Sequence, residues 1–371
     1  MTLDIAWAQG ADLSGVASPA LLLGLEPVQW NLAQMVRIAR DPARLRPHVK
    51  THKLGWLVER QLALGITRFK CATIAEAEMS AGAGAVDVLI AYQMVGPNVA
   101  RLLALQKKFP QTRFSTIADD ASVLRALADA AARAGARVEV LVDLDVGQHR
   151  TGVAPGPAAL ALYREIAAAP ALVAGGLHAY DGHLNQSDPV ARAAACAEAF
   201  APVLALRGQL LAEGLPVPRV VAGGSPTFAL LAALPGVECS PGTTVLWDAS
   251  YATNLPDLDF HPAAVLLTRV VSKAGCNRLC LDLGHKAVAS EMPHPRVVFP
   301  ALPDAQFVAH NEEHLVLESA GAGRFAVGDE LLGVPWHVCP TVALHAEAVV
   351  IEHGKVAGWR RIDARARKLT V

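Results

Sequence analysis

A chain of 371 residues with 53% hydrophobic and 18% charged residues carries apolar surface enough for more than one core. Its formal net charge of −1, with no basic tail or cluster, argues against nucleic acid or an anionic membrane surface as partner. The opening "MTLDIAWAQGADLSG" lacks a cationic start followed by an apolar run, and stretches such as "SPALLLGL" fall short of the ~20 residues of a membrane span. Cys71, Cys196, Cys239, Cys276, Cys280 and Cys339 are scattered, which suits thiols better than disulfides. These features describe a cytoplasmic enzyme.

Between residues 18 and 248 short apolar runs alternate with longer Ala/Leu-rich stretches of helical spacing. The runs are "RLRPHVK", "ITRFKCA", "VDVLIAY", "TRFSTIA", "RVEVLVDLD", "LVAGGLHAY", "PRVVAGG" and "GVECS". Such alternation implies parallel strands with crossover helices. About eight units in ~230 residues predict an α/β fold, a (β/α)8 TIM-type barrel, over an open doubly wound sheet. Residues 249–371 change rhythm. "AAVLLTRVVSK", "NRLCLDLG", "RVVFPAL", "EHLVLES" and "HAEAVVIEHGKVAGWRRI" read as strands of a mainly antiparallel β domain, which residues 1–17 are expected to join.

Within "RLRPHVKTHKLGW" two lysines compete for attention. If "RLRPHVK" is a barrel strand, alternation puts Arg46, His48 and Lys50 on one face. Lys50 then ends the strand on the side where barrels build active sites, whereas Lys53 lies past it. Neighbouring cations and partial burial would free the Lys50 amine for Schiff-base chemistry. A plain surface cluster of cations is the competing reading of this segment. Further on, "VAGGSPTF" (221–228) and "ECSPGTTVLWD" (238–248) place glycines and hydroxyls at two successive strand-to-helix turns. Their backbone N–H groups suit a phosphate, and late barrel loops often bind one. A Schiff-base lysine with two such loops points to pyridoxal 5′-phosphate (PLP).

The segments "RPHVKTHK", "CATIAEAE", "VDLDVGQHRTGV", "GLHAYDGH", "GGSPT", "SPGTTVLWD", "NEEHLVLE" and "HVCPTVAL" stand in an order that resembles the D-threonine aldolase and D-serine dehydratase family. These are fold-type III PLP enzymes with an alanine-racemase-like barrel. The resemblance runs over most of the chain, with "RPHVKTHK" and "HVCPTV" its most specific parts. It implies that Lys50 carries the cofactor, that Gln148, Arg150 and Tyr180 sit beside it, and that Gly224, Ser225, Thr227, Gly242 and Thr243 hold its phosphate. It also implies a homodimer.

His337 and Cys339 stand two apart, so in an extended segment both leave the same face, and imidazole with thiolate suits zinc or another borderline divalent ion. The resemblance adds that such a pair holds a catalytic ion, Mn2+ or Zn2+, with positions left open for substrate. Two outcomes follow for a D-3-hydroxy amino acid. Cleavage of Cα–Cβ gives glycine and an aldehyde; loss of the hydroxyl gives a 2-oxo acid and ammonia. The expectation is the aldolase, with a D-serine or D-threo-3-hydroxyaspartate dehydratase as the alternative. His52 is a candidate base, with His314 and His337 as others, and Tyr180 is a candidate catalytic group. A metal-free racemase would need a tyrosine from the β domain, yet the tyrosines are Tyr92, Tyr163, Tyr180 and Tyr251, and the last 120 residues contain none. A non-enzymatic PLP carrier would leave the second domain and the metal pair unexplained.

Overall fold

A computed structural model describes residues 3–371. Its strands, in chain order, are β1 (Ala20–Gly24), β2 (Arg68–Cys71), β3 (Asp87–Gln93), β4 (Arg113–Ala118), β5 (Val138–Leu144), β6 (Leu172–Ala179), β7 (Val220–Ala222) and β8 (Val237–Cys239). There follow β9 (Ala264–Ser272), β10 (Arg278–Leu281), β11 (Val297–Val298), β12 (Gln306–His310), β13 (Leu315–Glu318), β14 (Glu330–Pro335), β15 (Glu347–Glu352) and β16 (Lys355–Arg361). Two compact units result. One holds residues 35–50, 55–242 and 367–371; the other holds the N-terminal segment up to Gln34 with residues 51–54 and 243–366.

In the first unit β2 to β8 pair in parallel and in sequence order, with helices between them. Local chemistry sets the helix starts. Thr73 accepts from the Glu76 N–H while Glu76 accepts from the Ala72 N–H, a reciprocal cap on Ile74–Gly82. Asp120 caps Ala121–Arg133 through the Ser122 and Val123 amides. Helix Pro189–Ala212 is long and apolar enough to cross a membrane, but Cys196, Phe200, Val203, Leu206 and Leu210 are buried at the spacing of a core-facing stripe.

The eighth member of the barrel is the extended segment 45–50. Arg46 N–H donates to Cys239 C=O (2.8 Å) and His48 N–H to Pro241 C=O (2.9 Å) on one side. On the other, Val49 N–H donates to Lys70 C=O (2.8 Å) and Lys70 N–H to Pro47 C=O (2.9 Å). Pro47 has no N–H, so the pairing shows as separate bridges, Leu45 to Cys239 and His48 to Lys70, rather than a full ladder.

Alternation fills the barrel with layers of different chemistry. At the start of the strands Arg46, fully buried, reaches Asp87 (2.6 Å) and Glu238 (2.7 Å). Arg113 and Arg219 also pair with Asp87, and Arg219 with Glu139. Above them Leu89, Ile117, Leu141 and Val221 form an apolar plug. Above that, at the ends of the strands, the interior turns polar again.

The second unit is a mixed nine-stranded sheet. Residues 18–34, expected to begin the barrel, lie here instead: β1 runs antiparallel to β9 and parallel to β15. Leu21, Leu22 and Leu23 are all buried, so a strand covered on both faces reads like a barrel strand in sequence. Leu13 and Val16 pack with Leu22, Leu267, Val349 and Ile351, and Ile5 with Val265 and Val334. Gly24 is required by close approach, since the Trp7 ring occupies the space a Cβ would need. Strands β12 and β14 escaped the sequence reading: β12 alternates exposed and half-buried residues, and in β14 Gly333 and Pro335 break up a short buried run.

Burial would raise the Asp87 pKa, but Arg46 and Arg113 overcome it and hold the carboxyl well below the usual range. Asp87 therefore contributes stability fully present above the unfolded value, about 3.9, and lost as pH falls toward the folded one. Asp87→Ala should cost about 3–5 kcal/mol, because it removes the carboxylate that Arg46, Arg113 and Arg219 share in the core. Urea denaturation at neutral pH checks the size, and the wild type should lose part of the difference in acid.

Candidate active site

The polar layer at the strand ends opens into a cavity of about 440 Å³ lined by Lys50, Lys70, Asp143, Arg150, His178 and Tyr180, among others. Lys50 lies where alternation along 45–50 puts it, with His48 below it also in the wall, and Lys53 is not among the lining residues. Three cations surround one ring: Lys50 Nζ lies 5.2 Å, Lys70 Nζ 5.4 Å and the Arg150 guanidinium 5.1 Å from the Tyr180 centroid. Such a cavity favours an anionic guest with a flat apolar face.

Lys70 was missed by the sequence reading. It is fully buried and donates to Ser240 Oγ at 2.5 Å, with His178 Nε2 at 3.5 Å. Burial first, then Lys50, bring its pKa down to about 7, while Asp181 and Asp143 work the other way. His178 Nδ1 and Asp143 Oδ1 are 2.7 Å apart. Burial pushes the His178 pKa down against the pull of Asp143, so the neutral ring donates from Nδ1 and offers Nε2 to Lys70. Asp143 stays below the usual carboxylate range because bonds from His178 and Thr151 outweigh burial. The missed signal was parity: His178 is two before Tyr180, and Lys70 faces His48 across the closing seam.

Of the loop residues, Gly224 N–H donates to Asp181 Oδ1 (2.8 Å) and Thr227 O–H to Asp181 Oδ2 (2.6 Å). These two donors are therefore engaged within the protein, and Asp181 braces the turn. Ser225 is buried beside them and accepts from Gly242 N–H at 3.3 Å. With the anion-favouring cavity and a braced Gly–Ser turn, the unit fits PLP. Gln148 is half-buried in the loop after β5 and is not among the lining residues. That loop returns to the barrel at Gly152, whose N–H donates to Asp119 (2.7 Å).

In the second unit Thr243 is buried, with its Oγ1 3.7 Å from Cys339 Sγ. Cys339 also lies 3.3 Å from Thr51 Oγ1. His337 Nδ1 is hydrogen-bonded to Glu291, which leaves Nε2 for Cys339 or an ion. Although burial opposes it, Cys339, Glu291 and Asp248 hold the imidazole's pKa up to about 9, so an ion bound there must displace a proton from it. Among the described residues no set of three His, Cys, Asp or Glu converges for a metal, and His337 with Cys339 is a pair of donors. His52 is fully buried, accepts from Leu54 N–H, and is held neutral to about pH 3 by burial and Lys53. A group so weakly basic is a poor general base near neutrality. His314 is exposed in the turn between β12 and β13.

Comparison with known proteins decides the family. Residues 24–247 match the alanine racemase N-terminal domain, and residues 263–351 match a putative serine dehydratase domain. The chain is 35% identical to D-threonine aldolase of Arthrobacter sp over 363 residues, 96% of this chain and 94% of that one. The chain belongs to the D-threonine aldolase and D-serine dehydratase family. Its fold also follows the crystal structure of D-threonine aldolase from Filomicrobium marinum, with TM-score 0.89 and 31% identity over 97% of this chain and 99% of that one. The D-threo-3-hydroxyaspartate dehydratase from Delftia sp. HT23 gives TM-score 0.83 and 27% identity over 95% and 99%. The relatives thus include an aldolase and, at lower identity and TM-score, a dehydratase.

Gly152 has φ +94°, and a Cβ there would lie 2.6 Å from the Asp145 backbone N. Gly152→Ala should shift the loop that carries Arg150 and lower stability by about 1–3 kcal/mol. A thermal melt reads the stability, and loss of protection of the 146–152 amides in hydrogen exchange reads the loop.

Proposed function

We propose that this chain is a PLP- and divalent-metal-dependent lyase that cleaves D-3-hydroxy amino acids to glycine and an aldehyde, as a D-threonine aldolase does. The observation that carries the reading is Lys50 in the wall of a cavity ringed by cations, inside a family of this chemistry. PLP, when bound, supplies an electron sink for the charge left at Cα. A divalent ion, Mn2+ or Zn2+, when held by His337 and Cys339, supplies a Lewis acid suited to a hydroxyl.

The chain's own residues do the rest. Lys50 Nζ is the amine that joins the cofactor. The Tyr180 ring gives the flat apolar contact, and Arg150 places a fixed positive charge at the mouth, with Gln148 nearby in the same loop. Ser225 and Gly242, joined through the Gly242 N–H and Ser225 Oγ, frame the phosphate position, with Thr243 next in the chain. Gly224 and Thr227 serve by fixing the turn through Asp181. Glu291 orients His337 by binding Nδ1, which keeps Nε2 toward the ion. His52, neutral and enclosed, shapes its segment; a proton acceptor is better sought among less enclosed groups.

The second reading, a dehydratase giving 2-oxo acid and ammonia, is favoured by the likeness to the Delftia enzyme. Substrates are small zwitterions in either case, and we infer a cytoplasmic enzyme that forms a homodimer; size-exclusion chromatography with light scattering tests the dimer.

Purified protein with PLP and Mn2+ or Zn2+ is given D-threonine, D-serine and D-3-hydroxyaspartate, and glycine, aldehyde, oxo acid and ammonia are measured. Glycine with aldehyde is the expected result, reduced at least about a thousandfold by Lys50→Ala and abolished by chelation. Oxo acid with ammonia would move the chain to the dehydratases. Glu291→Gln should weaken metal affinity by about 10–100-fold in a chelator competition, whichever product forms.

A further inference from the structure

Two lysines share the cavity, Lys50 half-buried and Lys70 buried, and the proposed reaction uses one. Lys70 Nζ is as close to the Tyr180 ring as Lys50 Nζ, 5.4 Å against 5.2 Å, yet Lys70 is 1% exposed and lies in the wall itself. Its amine is pinned. It donates to Ser240 Oγ (2.5 Å), and that hydroxyl reaches the Gly223 carbonyl (2.9 Å). Behind it stands the His178–Asp143 pair. A lysine buried in a barrel wall is costly, and keeping one here against Ser240 and His178 needs a reason.

We propose that Lys70 is a positioning residue for the bound cofactor: pinned by Ser240 and backed by His178 and Asp143, its amine holds a proton in the cavity wall that the cofactor's ring shares, and so sets the ring's charge. This rests on the assignment of PLP to the cavity. The groups facing Lys70 are Lys50, His48 and Arg46 from the closing segment, Asp143 from β5, His178, Tyr180 and Asp181 from β6 and its end, and Ser240 after β8. Lys50 and Arg46 favour release of the Lys70 proton, whereas Asp143 and Asp181 favour its retention, so the amine can lie in either state near neutrality. His178, kept neutral, accepts from Lys70 at Nε2 and passes the influence of Asp143 to it.

The test is a pH titration of the visible absorbance of PLP-loaded protein, with PLP affinity measured by fluorescence quenching. Wild type should show a spectral step in the neutral range. Lys70→Met should lose that step and bind PLP about tenfold more weakly, since a charge-assisted donor is gone. His178→Gln keeps the lysine but cuts it from Asp143, and should move the step to lower pH. A step and an affinity unchanged in Lys70→Met would overturn the proposal. If Lys70→Met does not fold, an unmoved step in His178→Gln overturns it instead. Wild type that takes up no PLP, and so has no visible band, would sink the cofactor assignment and this proposal with it; a band insensitive to both substitutions sinks this proposal alone.

Discussion

The pairing of residues 45–50 between β2 and β8 is the constraint on which the site depends. Four backbone hydrogen bonds seat this segment, and they fix its register to a single residue. A slip by one would turn Arg46, His48 and Lys50 out of the barrel and Pro47 and Val49 into it. Arg46 guards against that slip from below, because its guanidinium finds Asp87 and Glu238 only in the observed register. The ion-pair layer at one end of the barrel thus helps place a lysine at the other.

The interior carries charge at both ends and none in the middle. Leu89, Ile117, Leu141 and Val221 separate the two polar layers, so neither draws counter-charge from the other. The lower layer is closed by near-complete pairing and serves stability. The upper layer holds Lys50, Lys70 and Arg150 around a cavity in which Asp143 is spent on His178, and Asp181 on the Gly224–Thr227 turn. Positive charge left over in a walled cavity is the electrostatic form of an anion site. In the second unit the same economy gives His337 a carboxylate partner on one nitrogen and a thiol near the other.

Much of this was legible in the sequence. All eight barrel runs were readable because buried parallel strands are short apolar bursts between helical stretches, and the inward face of 45–50 followed from parity alone. β1 was not assigned correctly, because Leu21–Leu23 buried on both sides look the same in a mixed sheet as in a barrel. Lys70, His178 and Asp143 stood inside quoted segments, but their meeting needs three strands, β2, β6 and β5, that sequence cannot superpose. Gly224 and Thr227 read as phosphate donors because a turn's sequence does not show that Asp181, far away in the chain, has engaged them. The burial of His52 was equally invisible beside its charged neighbours.

The central claim is that Lys50 joins the cofactor, and covalent trapping tests it most directly. Protein incubated with PLP is reduced with borohydride, digested and mapped by mass spectrometry. A pyridoxyl adduct on Lys50 is the predicted result, with Lys53 and Lys70 unmodified. An adduct on Lys70, or one scattered over surface lysines, would contradict the account.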